Sequence, residues 1–363
     1  MFKDQLITLL KLAGIVASLY FFIVGIGAMG HAFKLFGREF SEAILTTTAS
    51  PLVGLFIGVL ATSLVQSSST TTSIIVGMVA AGAISIEGAI PMIMGANVGT
   101  TVTNTLVSMG HITRRHEFRL AFAAATVHDF FNLLTLLILF PLELATGYLS
   151  RLASLSASAF AGLGGMKLGN PLNAATRPAI NALAEVVAND ATILLIVAAL
   201  ITFAMITGIV KILRSLVLSK VESFFDVHLF RNAGRALLFG IVLTVFVQSS
   251  SITTSLVVPL VGAGLLRLKQ VFPYSMGANV GTTVTAMLAA LSTADVAAIT
   301  VAFAHLLFNL TGIALILPTP LRRIPLYLAE KMADAAVRNR LVPLVYVTVT
   351  FFVIPLFFIF AMR

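Results

Sequence analysis

The chain has 363 residues, 58% of them hydrophobic and only 10% charged, with a mean hydropathy of +1.04. A water-soluble domain carries about 25% charged residues, so the composition excludes a soluble globular enzyme and describes an integral membrane protein. The net charge of +9 fits basic loops beside a membrane and argues against a nucleic-acid partner, and the absence of cysteine removes disulfide and thiol chemistry.

Residues 1–50 hold a first span and a connection. Lys3 and Lys11 precede an apolar run at 12–29 that no small-residue cleavage site follows, so it reads as an uncleaved span. An amphipathic connection with Lys34, Arg38, Glu39 and Glu42 leads to residue 50. Segment 51–147 is more unusual. The apolar arm 51–65 is shorter than the roughly 20 residues a crossing helix needs. Eight polar residues interrupt it at 66–73 (Gln-Ser-Ser-Ser-Thr-Thr-Thr-Ser), and a second short arm runs over 74–84. Short arms meeting at a polar centre predict a re-entrant hairpin or broken helix, which at membrane depth must line a cavity or be buried in protein. The nonapeptide Gly-Ala-Asn-Val-Gly-Thr-Thr-Val-Thr follows at 95–103, then an arm to Met109 and a basic loop with Arg114, Arg115 and Arg119. A full span at 120–142 is broken only by His128, Asp129 and Asn132.

Residues 148–190 are rich in Ser, Gly, Ala, Asn and Pro and read as a linker. Segment 191–235 contains a span at 191–210 and the densest basic run, with Lys211, Arg214, Lys220, Arg231 and Arg235. Segment 236–317 then repeats the earlier pattern. Gln-Ser-Ser-Ser-Ile-Thr-Thr-Ser stands at 248–255, the same nonapeptide at 277–285, and a full span at 296–317. Segment 318–363 supplies an amphipathic interfacial stretch at 321–340 and a last span at 341–362.

The two copies keep a constant offset of 182 residues, and in both the Asn of the nonapeptide lies 31 residues after the Gln. About half of positions 62–110 are identical to 244–292, an internal repeat that governs the reading of the fold. Placing the basic loops at 114–119, 211–235 and 322–340 in the cytoplasm makes the halves inverted copies. Glu87 then marks an outer corner whose counterpart carries Arg267 and Lys269. The predicted fold is an all-α membrane protein of two inverted-topology repeats, each with a broken-helix hairpin and full transmembrane helices. Secondary transporters are built this way, with the substrate held at mid-membrane between the halves.

The polar blocks admit three readings. Small hydroxyl residues let membrane helices pack closely, but eight consecutive polar residues in one copy and seven of eight in the other are too costly for packing alone. Nucleophilic catalysis needs a base beside the serine, and neither block contains His or an acid. Ion and oxyanion coordination suits hydroxyls, which donate to an anion and turn lone pairs to a cation. Neither block contains Arg or Lys, so an anion held there needs co-bound cations. The residues favour cation-coupled anion symport and leave the anion open.

Asp129 is an acid deep in a span and is expected to be functional; its counterpart is Leu306, which fits a cation site in one half only. His128 and His305 each have an Asn four residues on, Asn132 and Asn309, hence on one helix face, and read as structural hydrogen-bond partners. Asn97 and Asn279, beside their glycines, read either as ligands or as residues that hold unwound backbone in shape.

The paired Gln-Ser-Ser-Ser blocks, the two nonapeptides and Ala-Thr-Val-His-Asp-Phe-Phe-Asn at 125–132 together resemble the type II sodium-phosphate cotransporter family. The resemblance covers about 50–145 and 236–317. It implies sodium-driven uptake of inorganic phosphate, with phosphate contacts at Ser67, Ser68, Ser249 and Ser250 and with Gln66 and Gln248 alongside. The neighbouring Ser69, Ser251, Asn97 and Asn279 complete the expected phosphate site. Sodium falls on Gln248, Ser249, Thr282 and Thr285, with Gln66, Thr100 and Thr103 as the counterparts in the first half. Within that family an Asp at the position of Asp129 accompanies electrogenic transport and a Gly electroneutral transport; Ala123 and Ala125 also resemble the electrogenic form. A further sodium ion at Asp129 is therefore expected. The short linker lacks the cysteines of the animal members, and the soluble regulatory domain of some bacterial relatives is missing, which suggests a compact prokaryotic member.

The expected partners are phosphate, sodium and the bilayer of a cell membrane, with no organic cofactor. Other readings are transport of another oxyanion, such as sulfate or arsenate, and a membrane sensor that binds phosphate without moving it.

Overall fold

The structure, a computed structural model, describes residues 2–37, 50–162, 169–224 and 227–362. Arg38, Glu39 and Glu42 of the amphipathic connection lie outside the described residues. The regular structure among the described residues is helical. The chain begins with α1 (Phe2–Leu35), followed by α2 (Pro51–Val65), α3 (Ser68–Ala80), α4 (Ile86–Val98) and α5 (Val102–Met109). Then come α6 (Arg115–Thr146), α7 (Tyr148–Gly162), α8 (Gly169–Val186) and α9 (Ala191–Phe224). The second half holds α10 (Ala233–Val247), α11 (Ser250–Gly262), α12 (Leu268–Thr293) and α13 (Val296–Ile316). The chain closes with α14 (Arg323–Arg338), α15 (Val342–Thr348), a π-turn at Val349–Val353 and α16 (Ile354–Ala361).

Among the described residues, five stretches are long and apolar enough to cross a membrane: Leu6–Leu35, Arg115–Thr146, Ala191–Ile212, Val296–Ile316 and Val342–Ala361. The first, third and fifth are the least buried and present apolar side chains such as Leu9, Leu200 and Phe360 outward. That exposure is stable only against lipid. The chain is an integral membrane protein. By contrast α3 and α11 have 13 residues each, about 20 Å at 1.5 Å per residue, too short to cross a hydrocarbon layer of about 30 Å.

Glycines bring α2 against α4 and α10 against α12 in backbone contact. A Cβ on Gly58 would lie 2.0 Å from the Met92 carbonyl oxygen, and one on Gly95 would lie 2.0 Å from that of Leu55. The second half repeats this: Gly240 against Tyr274 O at 2.1 Å and Gly277 against Leu237 O at 2.0 Å. Here lies a difference from the sequence reading, in which the glycines could open the helix. They serve close approach instead. Residues 277–285 continue unbroken inside α12, and 95–103 pass from α4 through a tight 3₁₀ turn at Gly99–Thr101 into α5.

The segment read as a linker, 148–190, is also helical over most of its length. The buried Ala153 and Ala157 lie on one face of α7, which packs on α13. The buried carboxylate of Glu143 accepts the Leu149 amide at 2.6 Å and so secures the start of α7. The small residues of this linker allow close packing. The amphipathic stretch near the C-terminus forms α14, which lies along α6. Arg119 of α6 donates to Asp334 of α14 at 2.5 Å, and this pairing holds the Asp334 carboxyl below the usual carboxylate range.

Candidate functional site

Each polar block sits where one short helix stops and another starts. Gln66 and Gln248 end α2 and α10 in the left-handed region, with φ of 57° and 56°. A side chain with a Cβ pays roughly 1–2 kcal/mol there, and glycine would be the unstrained choice. The glutamine amide explains the exception. Gln66 Nε2 donates back to the Ser63 carbonyl and Gln248 Nε2 to that of Val245, satisfying groups left open at a helix end. The amide oxygens face the nonapeptides. Thr103 Oγ1 donates to Gln66 Oε1 at 2.9 Å, and Thr285 Oγ1 donates to Gln248 Oε1 at 2.6 Å. An apolar pocket of about 200 Å³, lined by Phe22, Ile206, Val245 and Phe246, reaches Gln248 and Thr285.

The next residue restarts the chain. Ser67 and Ser249 are extended and cap α3 and α11; their hydroxyls accept the amides of Thr70 and Ile252 at 3.2 and 3.3 Å. Ser68, Ser69, Ser250 and Ser251, buried, form the first turn of each helix, where backbone N–H groups and the helix dipole favour an anion. Thr100 and Thr282 donate to the carbonyls of Ala96 and Ala278 at 3.2 and 3.0 Å, and their oxygens keep lone pairs for a cation.

The two halves exchange contacts. α3 packs on α12, and α11 packs on α5, so each serine helix meets the nonapeptide helix of the other half. Between them lies a buried amide–imidazole network. His128 Nε2 donates to Asn279 Oδ1, and His305 Nε2 donates to Asn97 Oδ1 at 3.3 Å. Asn279 Nδ2 donates to Asn132 Oδ1 at 2.8 Å, and Asn132 Nδ2 to the Asn97 carbonyl at 2.9 Å. Asn309 Nδ2 reaches Asn97 Oδ1 at 3.3 Å. The side-chain amides of Asn97 and Asn279 are thus engaged within the protein, Asn97 also donating to Ile93 O at 3.0 Å.

Asp129 is fully buried in α6. Tyr346 Oη donates to its Oδ2 at 3.3 Å, and His128 Nδ1 stands 3.9 Å from Oδ1. Ala123 and Ala125 are buried on the same helix.

This arrangement can be compared with known proteins. The profile of the Na+/Pi-cotransporter family matches residues 21–169 and 200–316, both polar blocks, both nonapeptides and both His-x-x-x-Asn helices included. The chain belongs to the Na+/Pi-cotransporter family. Among relatives of this cotransporter family, sodium-dependent phosphate transport protein 2B of Pongo abelii is 31% identical over 95% of this chain and 64% of its own length. The 2B protein of Bos taurus is 33% identical over 94% of this chain and 63% of its own. The 2A protein of Mus musculus is 32% identical over 96% and 67%. The chain therefore spans less than two thirds of the length of the 2B relatives. No solved structure matches it.

Two contacts of this family member escaped the sequence reading. One is Tyr346, which shares the last apolar span with the hydroxyls of Thr348 and Thr350 and whose link to Asp129 no local pattern announces. The other joins the halves directly: Asn104 Nδ2 donates to Thr254 Oγ1 at 2.8 Å, and that hydroxyl lies 3.1 Å from Asn104 Oδ1. A signal for it does exist, since Asn104 is one of the positions where the second copy has an apolar residue, Ala286.

Proposed function

We propose that the protein is a sodium:phosphate symporter of a cell membrane, a multi-pass protein of two inverted repeats working by alternating access. The observation that carries this reading is the duplicated break. In both halves a strained glutamine ends one short helix, a serine caps the next, and a threonine of the nonapeptide holds the glutamine amide. Strain of this kind persists where surrounding structure over-determines it and is concentrated at ligand sites. The 13-residue arms support re-entrant hairpins, and the basic loops support an outward-facing 148–190.

Phosphate would be held by Ser67, Ser68, Ser69, Ser249, Ser250 and Ser251 with Gln66 and Gln248. Sodium would take Gln66, Thr100, Thr103, Gln248, Ser249, Thr282 and Thr285, and a further ion Asp129. Asn97 and Asn279, whose amides are already engaged, would frame the site and reach phosphate only through a change of partners. Hydroxyls and amides alone leave a doubly charged anion under-neutralised, so the travelling cations supply the balance. An approach path for an anion is supported by a cavity of about 360 Å³ where α1, α3, α8 and α12 meet, lined by His31, Lys34, Arg177, Ser292 and Thr293.

In proteoliposomes an inward sodium gradient is expected to drive accumulation of labelled phosphate, and an equal potassium gradient to drive none. Equal uptake under potassium removes sodium coupling, and saturable binding without accumulation identifies a sensor. Excess sulfate or arsenate displacing the label better than phosphate changes the substrate.

Gln248→Gly separates a structural from a binding role. Glycine relieves roughly 1–2 kcal/mol of left-handed strain at φ 56° and loses two side-chain hydrogen bonds of about 0.5–1.5 kcal/mol each, so stability and folded yield should stay near the parental values. Uptake should nevertheless fall about tenfold, the factor for roughly 1.4 kcal/mol of lost interaction. Normal uptake by a well-folded Gln248→Gly protein takes the side chain out of the site.

A further inference from the structure

A basic cavity lies apart from the serine blocks, whose residues do not line it. A cavity of about 350 Å³ opens beside the starts of α10, α12 and α14. Lys269, Arg322 and Arg323 line it together with Phe272, Leu317 and Leu326. No carboxylate belongs to its lining, and among the described residues none of the three cations is in an ion pair. The contrast with Arg119, paired to Asp334 of the same α14, is direct. Like charges gathered without a counter-ion repel one another, and basic side chains that merely mark a loop would spread into water. Here they share a wall with an aromatic ring and two leucines.

That combination has a matching ligand chemistry. A phosphate head meets the three cations, and a hydrocarbon chain continues over the apolar side, as in the basic pockets between membrane helices that hold anionic lipids. The carrier helices fit the interface. Arg323–Arg338 is amphipathic, and Leu317 closes a transmembrane helix, so the cavity falls at the level where headgroups end and acyl chains begin. We infer that Lys269, Arg322 and Arg323 form a binding site for an anionic phospholipid, with the phosphate on the cations and an acyl chain along Phe272, Leu317 and Leu326. This site is independent of the transported substrate. It requires only that the chain be a membrane protein.

The test is native mass spectrometry of the full chain released from nanodiscs of equal parts phosphatidylcholine and phosphatidylglycerol. The wild-type protein is expected to keep phosphatidylglycerol at least tenfold over phosphatidylcholine, and the triple variant K269Q/R322Q/R323Q to lose that preference. The charge-keeping K269R/R322K/R323K should retain it. So should R338Q/R340Q, which removes charge from the far end of the same helix. Inorganic phosphate at millimolar concentration should not displace the lipid. No preference in the wild-type protein overturns the proposal without reference to any variant. Equal losses in R338Q/R340Q and the triple variant assign the effect to overall charge and overturn it too. Displacement by free phosphate assigns the cavity to a soluble anion instead.

Discussion

Gly277→Val is expected to leave almost no monodisperse protein after detergent extraction, whereas Gly162→Val is expected to behave like the parent. A Cβ at residue 277 would lie 2.0 Å from the Leu237 carbonyl oxygen, 2.9 Å from its carbonyl carbon and 3.0 Å from the Ile241 nitrogen. All three are backbone atoms, so no rotamer change relieves the clash and the helices α10 and α12 must separate. Overpacking that side chains can absorb costs about 1–3 kcal/mol; here the cost should exceed that range. Separation would also pull Thr285 from Gln248, which are bonded at 2.6 Å across the same helix pair. At Gly162 nothing lies within 4 Å of the added carbon. Gly95→Val should fail in the same way as Gly277→Val, because its Cβ would lie 2.0 Å from the Leu55 carbonyl oxygen. Fluorescence-detected size-exclusion chromatography reads the result. A sharp peak for Gly277→Val at the parental elution volume and yield would show that the helices do not approach as described.

Asp129→Gly is expected to abolish the phosphate-dependent current while phosphate uptake continues. Asp129 has no counterpart in the second half, where Leu306 stands, and its carboxylate is fully buried. A carboxylate in that position is costly without a cation or hydrogen-bond donors. Tyr346 supplies one donor at 3.3 Å, and a sodium ion in transit would supply the charge. If the sodium ion proposed at Asp129 is the one that carries the current, removing the acid removes that ion from each cycle, and net charge per phosphate should fall by one. Tyr346→Phe is the companion variant. It removes the hydroxyl but keeps the charge, so current should persist with weakened sodium affinity. Solid-supported-membrane recordings alongside tracer uptake separate the two quantities. An undiminished current in Asp129→Gly removes this residue from the coupling site.

The polar blocks were legible in sequence because their signal is local. A run of eight hydrophilic side chains, or of seven in eight, cannot continue an apolar helix into lipid, and the helices do stop at Val65 and Val247 and restart at Ser68 and Ser250. The paired histidines were legible for a similar reason: spacing of four puts His128 with Asn132 and His305 with Asn309 on one face, and all four take part in the buried network. The reading of 148–190 as a linker left its internal structure open, since Ser, Gly and Ala serve loops and tight helix packing equally well. Helices α7 and α8 each set one narrow face against neighbouring helices, Ala153 and Ala157 in α7 and Thr176 and Ala184 in α8.

What the sequence determined by itself is therefore periodic or short-range: the membrane as solvent, the duplication at a constant offset, the helix breaks and the family. What tertiary structure alone decided is the choice among equivalent partners. Each glutamine had several hydroxyls in reach along the chain and took the one 37 residues away. Each histidine took the asparagine of the opposite half, and Asp129 took a tyrosine 217 residues distant. Hydropathy counts only how much polar surface must be satisfied. Which group satisfies it depends on how closely glycine lets two backbones approach, and that distance exists only once the helices are packed.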